Sequence, residues 1–204
     1  MRRYLRVLLN KGHDYFHRVR FRQLSNAFAC VSHLTIRERI KLFELGQHGK
    51  LIAEIGSYVG ASACCFGAAL LENKDGKIFC IDTWNNDSMT EGYRDTWAEF
   101  CLNTKKYSKF IVPVRGISVQ VANEVCQYTS KLDLLFIDGN HSYEGVKSDW
   151  ETYKKFLFPG SLVVFHDYGW ADGVQRVIQE DVLANVSFTD RLPNMWWGTI
   201  NKNP

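Results

Sequence analysis

The chain has 204 residues, of which 46% are hydrophobic and 23% charged, with a formal net charge of +3, and these values are typical of one globular domain with a sizeable core. No apolar run approaches the roughly 20 residues that span a bilayer, and no small-residue cleavage site follows the basic start. The six cysteines form no CxxC pair, so we expect a cytoplasmic protein with reduced, buried thiols rather than a secreted one.

Basic residues are concentrated near the amino terminus. Seven of the 25 lie in the first 22 positions, against one acid, which leaves 18 basic and 21 acidic residues for the remainder. This mildly acidic remainder argues against a nucleic-acid partner. We predict a basic extension over residues 1–33 and one domain over 34–204. Because leucines and Phe16 interleave the charges, the extension is either a solvated, partly helical arm or a contact for a membrane surface or partner.

Hydrophobic periodicity defines the elements in chain order. Helices are predicted at 35–47, 61–71, 91–103, 118–127, 143–156 and 172–183. The first begins at Thr35 with Glu38 three positions later, the pattern of a capping box. Strands are predicted at 51–55, 77–81, 110–114, 132–137 and 161–165, then near 185–189 and 195–200.

This alternation predicts an α/β fold with a doubly wound, seven-stranded, mostly parallel sheet. The uninterrupted apolar strands are central, because both of their faces must be covered. The last two strands follow one another across a short turn at 189–194, so they form an antiparallel C-terminal hairpin. Trp196 and Trp197 alternate between faces, which predicts one in the core and the other in an acceptor pocket or a homo-oligomer contact.

The first strand runs into a glycine-containing turn, Glu54-Ile-Gly-Ser-Tyr-Val-Gly-Ala-Ser62. Its glycines allow a tight turn and a close approach of backbone to ligand at a helix N-terminus. Tyr58 stands where the dinucleotide fingerprint requires its second glycine, and the acid at Glu54 suits a cationic group. The predicted ligand contacts of this turn are Glu54, Gly56, Ser57, Tyr58, Gly60 and Ser62.

The second strand ends in Asp82, followed by Thr83 and Trp84. An acid at this position can accept hydrogen bonds from both ribose hydroxyls, and an indole can pack on adenine. A turn cap for Asp82 and simple core filling for Trp84 are the alternatives. The polar loop 85–95 that follows is either a lid or an ordinary surface loop.

Two further acids, Asp138 and Asp167, end adjacent strands, which places them about 5 Å apart at the edge where such folds bind ligands. Carboxylates this close need a proton or a cation between them, and hard oxygen ligands favour Mg²⁺. His141 lies in the loop after Asp138, where an imidazole can take a hydroxyl proton at neutral pH. The alternatives are loop caps and a structural histidine.

The glycine turn resembles the first motif of class I S-adenosylmethionine-dependent methyltransferases, in the variant of catechol-type metal-dependent O-methyltransferases. The runs 136–149 and 159–168 are similar to a bacterial branch that tailors sugars and antibiotics. The resemblance covers residues 34–200 and implies a Rossmann-like methyltransferase fold. It also implies S-adenosylmethionine as cofactor, Mg²⁺, and methylation of a hydroxyl on a sugar, a polysaccharide unit or a secondary metabolite.

The resemblance also assigns roles to single residues. Asp138 and Asp167 match metal-ligand positions, and Asp138 is also expected to be catalytic and to contact the cofactor. His166 is a third expected metal position, although relatives often carry a carboxylate there. His141 matches the base, and Gly116 and Ser118 match a segment that contacts adenine. Two other function classes stay open: a non-catalytic cofactor-binding or partner-binding module, and a nicotinamide oxidoreductase, which Tyr58 and the terminal hairpin oppose.

Overall fold

The computed structural model describes residues 14, 16–86, 92–202 and 204. A seven-stranded sheet has the order β3-β2-β1-β4-β5-β7-β6, parallel except for β7, which is antiparallel to both neighbours. The predicted fold class is therefore confirmed. The strands are β1 (Leu51–Ile55), β2 (Lys77–Asp82), β3 (Ile111–Arg115), β4 (Leu134–Ile137), β5 (Leu162–His166), β6 (Val186–Leu192) and β7 (Met195–Ile200).

Helices cover both faces of this sheet. They are α1 (Ser25–Ala29), α2 (Ile36–Gly46), α3 (Ala61–Asn73), α4 (Trp97–Thr104), α5 (Ser118–Cys126), α6 (Tyr143–Tyr153) and α7 (Asp172–Val177), the last continued by a π-helical turn to Val182. The predicted capping box starts α2, since the Thr35 hydroxyl accepts the Glu38 N–H and the Glu38 carboxylate accepts the Thr35 N–H. Within the described ranges, no helix combines the length and apolar character needed to cross a membrane.

Side chains that alternate along the strands feed two hydrophobic clusters, one on each face. In β1, Ile52 belongs to the cluster beneath α1 to α4 and Ala53 to the cluster beneath α5 to α7. Trp197 and Trp196 divide between the clusters in the same way, and both are 5% exposed. The predicted alternation is confirmed, since each indole packs in one of the two clusters. Trp197 also lines a cleft with His48 and Gly160, which is not at the acidic end of the sheet, and the oligomer contact stays a prediction.

The strand order reverses between β1 and β4, which lie side by side: β2 and β3 extend the sheet on one side of β1, and β5 extends it on the other side of β4. In open α/β sheets a ligand crevice forms at the carboxyl ends of the strands at such a point. Here the two strand ends touch: a Cβ built on Gly56 (φ +88°) would lie 2.0 Å from the Asp138 carbonyl oxygen. Glycine at position 56 therefore brings the turn after β1 against the acidic end of β4.

Replacing Gly56 by alanine is expected to lower the free energy of unfolding by about 3 kcal/mol or more, because strain at positive φ adds to a backbone clash. Gly160→Ala is the matched control, since Gly160 also has positive φ (+100°) but an added Cβ meets nothing within 4 Å. Urea unfolding of both variants separates strain from clash. Equal losses of stability in the two variants would show that the clash with Asp138 adds nothing to the cost of the substitution at position 56.

The stretch before α2 packs with the domain. Leu24, Ala27 and Phe28 are buried in the same cluster as Ile52, and the buried Arg39 donates hydrogen bonds to four carbonyl oxygens between Ala27 and Leu34. The boundary predicted between residues 33 and 34 thus does not coincide with a gap in packing. Residues 1–13 of the basic arm lie outside the described residues.

Several element boundaries differ by a few residues from the sequence prediction, and two of these differences have a clear structural cause. The helix predicted over 91–103 begins at Trp97, because residues 92–96 run back along the chain after β2: Thr96 N–H donates to Trp84 O at 3.0 Å and Arg94 N–H to Asn85 O at 3.1 Å. The turn predicted over 189–194 is confined to 193–194, since β6 continues to Leu192. Residues 87–91 of the predicted lid loop lie outside the described part of the chain.

Candidate active site

The turn after β1 surrounds a buried carboxylate. Glu54 is fully buried, its Oε1 accepts the Ser62 hydroxyl at 3.1 Å, and its Oε2 has no hydrogen-bond partner among the described residues. Among the described residues, the Ser57 hydroxyl beside it is also buried and has no partner at ordinary hydrogen-bond geometry, although it lies near enough to Glu54 to oppose the rise of its pKa. Burial raises the pKa of Glu54 to about 8. Because unpaired buried polar atoms are costly, these two atoms fit a ligand that brings hydrogen-bond donors, such as an ammonium group.

Glu54 is expected to make stability fall with rising pH. Its folded pKa of about 8 exceeds the value of about 4.3 in an unfolded chain, so its contribution is complete below pH 4.3 and is lost as the pH rises to 8. Glu54→Gln should therefore raise Tm by ~5 °C at pH 8.5 and change it little at pH 4.5. Glu124→Gln, at an exposed position on α5, is the control, and parallel pH profiles for wild type and Glu54→Gln would contradict this assignment.

Asp82, at the end of β2, holds two turns at once. One carboxylate oxygen accepts the Tyr58 N–H at 2.7 Å and the other accepts the Trp84 N–H at 2.6 Å. Tyr58 (φ +44°) and Trp84 (φ +55°) both adopt the left-handed conformation that is unfavourable for bulky residues. Asp82 thus stabilises both strained turns.

Trp84 does not face the ligand crevice. Its indole is fully buried and packs against Trp97 and Phe100, with ring centroids 4.7 and 4.8 Å apart. The predicted packing on adenine is therefore corrected to core filling, the alternative from sequence. Thr83, next to it, is half-buried and its hydroxyl accepts the Asn85 N–H at 3.2 Å.

Other predicted contacts lie in the turns that follow β1 and β3. Gly60 (φ +89°) is the N-cap of α3, and Tyr58 accepts a hydrogen bond from Arg94 through its hydroxyl at 2.8 Å. Gly116 N–H donates to Asp82 O at 2.9 Å, which ties the end of β3 to β2. Ser118 is the first residue of α5, and its hydroxyl donates to the buried Asp149.

The acidic edge brings together Asp138, His141 and Asp167. His141 Nε2 lies 2.7 Å from Asp167 Oδ2, and one ligand atom from each of the three residues lies within 4.8 Å of the others. The hydrogen bond to Asp167 raises the pKa of His141. Burial raises the pKa of Asp138, and it would also raise that of Asp167, but hydrogen bonds from His141 and His166 hold the Asp167 pKa well below its usual value.

His166, predicted as a metal position, lies outside this group. Its Nδ1 is 3.0 Å from Asp138 Oδ1 and 3.3 Å from Asp167 Oδ1, while its Nε2 faces Glu38 at 3.7 Å. Burial alone would lower the pKa of His166, but Asp138 and then Asp167 and Glu38 raise it to about 12. The ring therefore bonds to the carboxylates of Asp138 and Asp167 instead of offering a lone pair to an ion that they share.

Three residues at this edge are missing from the sequence prediction. Asn194 Nδ2 donates to Asp167 Oδ1 at 2.9 Å, and Trp170 Nε1 donates to the same oxygen at 2.8 Å. Glu38, identified from sequence only as a helix cap, also faces His166. A signal existed for Asn194: a hairpin that pairs β7 with β5 places Met195 opposite His166, so the turn residue before it must lie beside Asp167.

The comparisons with known proteins agree with this arrangement. A family model described as a methyltransferase domain matches residues 53–168, more than half of the chain, from the middle of β1 to Tyr168. The chain belongs to this methyltransferase domain family. The matched span contains the glycine turn, Asp82 and the acidic edge.

Relatives of the methyltransferase domain include an uncharacterized protein, y4gI, from Sinorhizobium fredii, which is 30% identical over 118 residues. This alignment covers 57% of the present chain and only 13% of the relative. Uncharacterized protein R132 of Acanthamoeba polyphaga mimivirus is 37% identical over 54 residues, or 24% of its length. The chain thus spans a small part of the curated relatives it matches.

Solved structures of methyltransferases share the fold. The O-methyltransferase TomG from Streptomyces achromogenes, solved with S-adenosylmethionine, superposes with a TM-score of 0.69 at 15% identity, covering 93% of this chain and 96% of the other. A TDP-rhamnose 3′-O-methyltransferase of calicheamicin biosynthesis gives 0.57 at 18% identity, with 80% and 77% covered. At these identities the likeness establishes the fold of the methyltransferase domain.

Proposed function

We propose that the domain is an S-adenosylmethionine-dependent O-methyltransferase. The observation that carries the proposal is the adjacency of two features at the ends of β1, β4 and β5. One is a pair of buried atoms, Glu54 Oε2 and Ser57 Oγ, for which the described part of the chain offers no hydrogen bond of ordinary geometry. The other is the Asp138–His141–Asp167 group, which can handle the proton that leaves an acceptor hydroxyl.

The crevice beside β1 and β2 suits the methyl donor. Glu54 and Ser57 would bind its ammonium group, and the Asp82 carboxylate at the end of β2 would accept its ribose hydroxyls. Family membership together with Tyr58 in place of a glycine weighs against a nicotinamide cofactor. S-adenosylmethionine supplies an electrophilic methyl group, whose carbon leaves sulfur as it bonds to the acceptor oxygen.

His141 is the proposed base. With its Nε2–H donated to Asp167, the Nδ1 lone pair is left to take the acceptor proton. Asp167 then stabilises the imidazolium, as the acid of a histidine–carboxylate pair does in acyl transfer. Trp170 and Asn194 hold Asp167 through its other oxygen, so the carboxylate stays oriented towards His141.

The donor set also suits Mg²⁺. Asp138 and Asp167 would hold it, since this ion binds through one or two carboxylates and keeps several waters. Once bound, the ion lowers the pKa of an acceptor hydroxyl. His166 holds both carboxylates from behind at 3.0 and 3.3 Å and so fixes their separation.

The proposed acceptor is a hydroxyl on a sugar, a polysaccharide unit or a secondary metabolite. The named neighbours support this class, because one is a TDP-rhamnose 3′-O-methyltransferase and the other an O-methyltransferase of tomaymycin synthesis. The six free cysteines, four of them buried, support a cytoplasmic location. The basic arm is proposed to contact a membrane surface or a partner, and a homo-oligomer stays part of the proposal.

Titration calorimetry with S-adenosylmethionine and with NAD tests the cofactor, and we expect binding of the first alone. Transfer of a labelled methyl group to a panel of sugars and phenols, with Mg²⁺ or with a chelator, tests the reaction. Binding without transfer to any acceptor would favour the non-catalytic module. Equal turnover with Mg²⁺ and with chelator would remove the metal from the proposal, and absence of S-adenosylmethionine binding would refute it.

A further inference from the structure

Trp170 is an exposed indole held beside the proposed base. It is 61% exposed, whereas Trp84, Trp150, Trp196 and Trp197 are buried. Its Nε1–H donates to Asp167 at 2.8 Å, and its ring centroid lies 5.2 Å from that of His141. An indole fixed by its N–H and open on its face offers an amphipathic surface to a ring with both apolar and polar edges.

The chain between Asp167 and Trp170 forms one wall of a groove. The groove has a volume of about 500 Å³, within the range of small-ligand sites, and is lined by Tyr168, Gly169, Gln175, Arg191, Leu192 and Pro193. Its wall is fixed because Gly169 N–H donates to Asn194 Oδ1 at 3.0 Å, and a Cβ on Gly169 would lie 2.4 Å from the Pro193 carbonyl oxygen. Tyr168 and Gly169 directly follow Asp167 in the chain, so this wall connects the groove to the acidic edge.

Arg191 gives the groove a positive charge. Its guanidinium lies 5.8 Å from the Tyr168 ring centroid, and its side chain forms no salt bridge within the part of the chain that the structure describes. None of the six lining residues is acidic; the neighbouring Asp190 interacts with the Arg191 backbone N–H at 2.8 Å. A planar guanidinium within cation–π distance of an aromatic ring is suited to bidentate binding of phosphate or carboxylate.

From these features we infer that the acceptor is an acidic saccharide. Its sugar ring packs on Trp170 with a hydroxyl towards His141, and its phosphate or carboxylate is bound by Arg191 in the adjacent groove. The inference rests on the proposed function and narrows it to one substrate class. Phosphate and carboxylate share this chemistry, so the experiment must distinguish them.

The first test compares three acceptors in methyl transfer by the full chain: a hexose 1-phosphate, a hexuronic acid and the neutral hexose. Arg191→Gln is expected to raise KM about tenfold for the phosphate or the carboxylate, a loss typical of one charge-assisted contact. KM for the neutral hexose should change less than twofold. Arg37→Gln, at an exposed position on α2, should change none of the three values.

The second test uses two variants of Trp170. Trp170→Phe and Trp170→Leu both lose the hydrogen bond to Asp167, but only phenylalanine keeps an aromatic face. We expect KM for the acidic sugar to rise at least five times more in the leucine variant than in the phenylalanine variant. Equal KM values in the two variants would overturn the role of the ring face.

Failure of this inference and failure of the proposed function give different results. Saturation-transfer NMR of the same sugars measures acceptor binding without turnover. Binding of the acidic sugars that depends on Arg191, in a chain that does not bind S-adenosylmethionine, would refute only the proposed function. Methyl transfer with the same KM for acidic and neutral sugars, unaffected by Arg191→Gln, would refute only the acidic acceptor.

Discussion

Replacing His141 by glutamine is expected to lower kcat for methyl transfer by about 10²- to 10⁴-fold, the usual contribution of a positioned general base. Glutamine retains a polar side chain near Asp167 but has no nitrogen that can accept a proton. Affinity for S-adenosylmethionine should stay within twofold, because Glu54, Ser57 and Asp82 are unchanged. Steady-state rates with saturating cofactor and acceptor give kcat, and calorimetry gives Kd.

The matched control for His141 is His48→Gln. His48 is exposed and lies beyond the carboxyl end of α2. Together with Asp133 and Gly160 it lines a cleft at the amino ends of the strands, away from the acidic edge. Its substitution should leave kcat unchanged. A His141→Gln variant with more than half of the wild-type kcat would eliminate His141 as the base.

Asp82→Asn is expected to weaken S-adenosylmethionine binding about 100-fold, or ~3 kcal/mol. Asp82 accepts one backbone N–H on each oxygen, from Tyr58 and Trp84. The asparagine amide nitrogen is a donor and cannot accept a hydrogen bond, so one of these backbone N–H groups loses its acceptor. The turn that this hydrogen bond holds at positive φ is then released. The proposed ribose contact is weakened in the same step, and Tm should fall by several degrees.

Asp75→Asn serves as control for Asp82, because Asp75 is an exposed carboxylate paired with Lys50 at 2.8 Å. Calorimetry with S-adenosylmethionine and thermal unfolding measure the two effects in both variants. Unchanged affinity in Asp82→Asn would place the ribose elsewhere.

The order of strands and helices was predictable because each element buries a continuous apolar surface. The fully buried run Leu134–Ile137 and the capping box at Thr35 are local signals, and the structure follows them. The convergence of Asp138, His141 and Asp167 was predictable too, since parallel strands bring their carboxyl ends to one edge.

Features that depend on side-chain direction were not predictable. The position of Trp84 could not be read from sequence, because an indole after a strand can turn into the core or towards a ligand, and packing with Trp97 and Phe100 decides. His166 differs for a similar reason: the last residue of β5 points to the side where Glu38 of α2 lies. The later start of α4 depends on pairing between 84–86 and 92–96, which no local periodicity indicates.

The position of β7 sets the order in which the site can be completed. β7 contains the last strand residues of the sequence yet lies inside the sheet, between β5 and β6, and the turn before it contributes Asn194 to Asp167. During synthesis, when domains fold as the chain emerges, β1 to β5 can assemble while Asp167 still lacks this donor. The acidic edge is therefore completed only when residues 195–200 insert, so a nascent chain without the hairpin holds the glycine turn but lacks the hydrogen bond from Asn194 to Asp167.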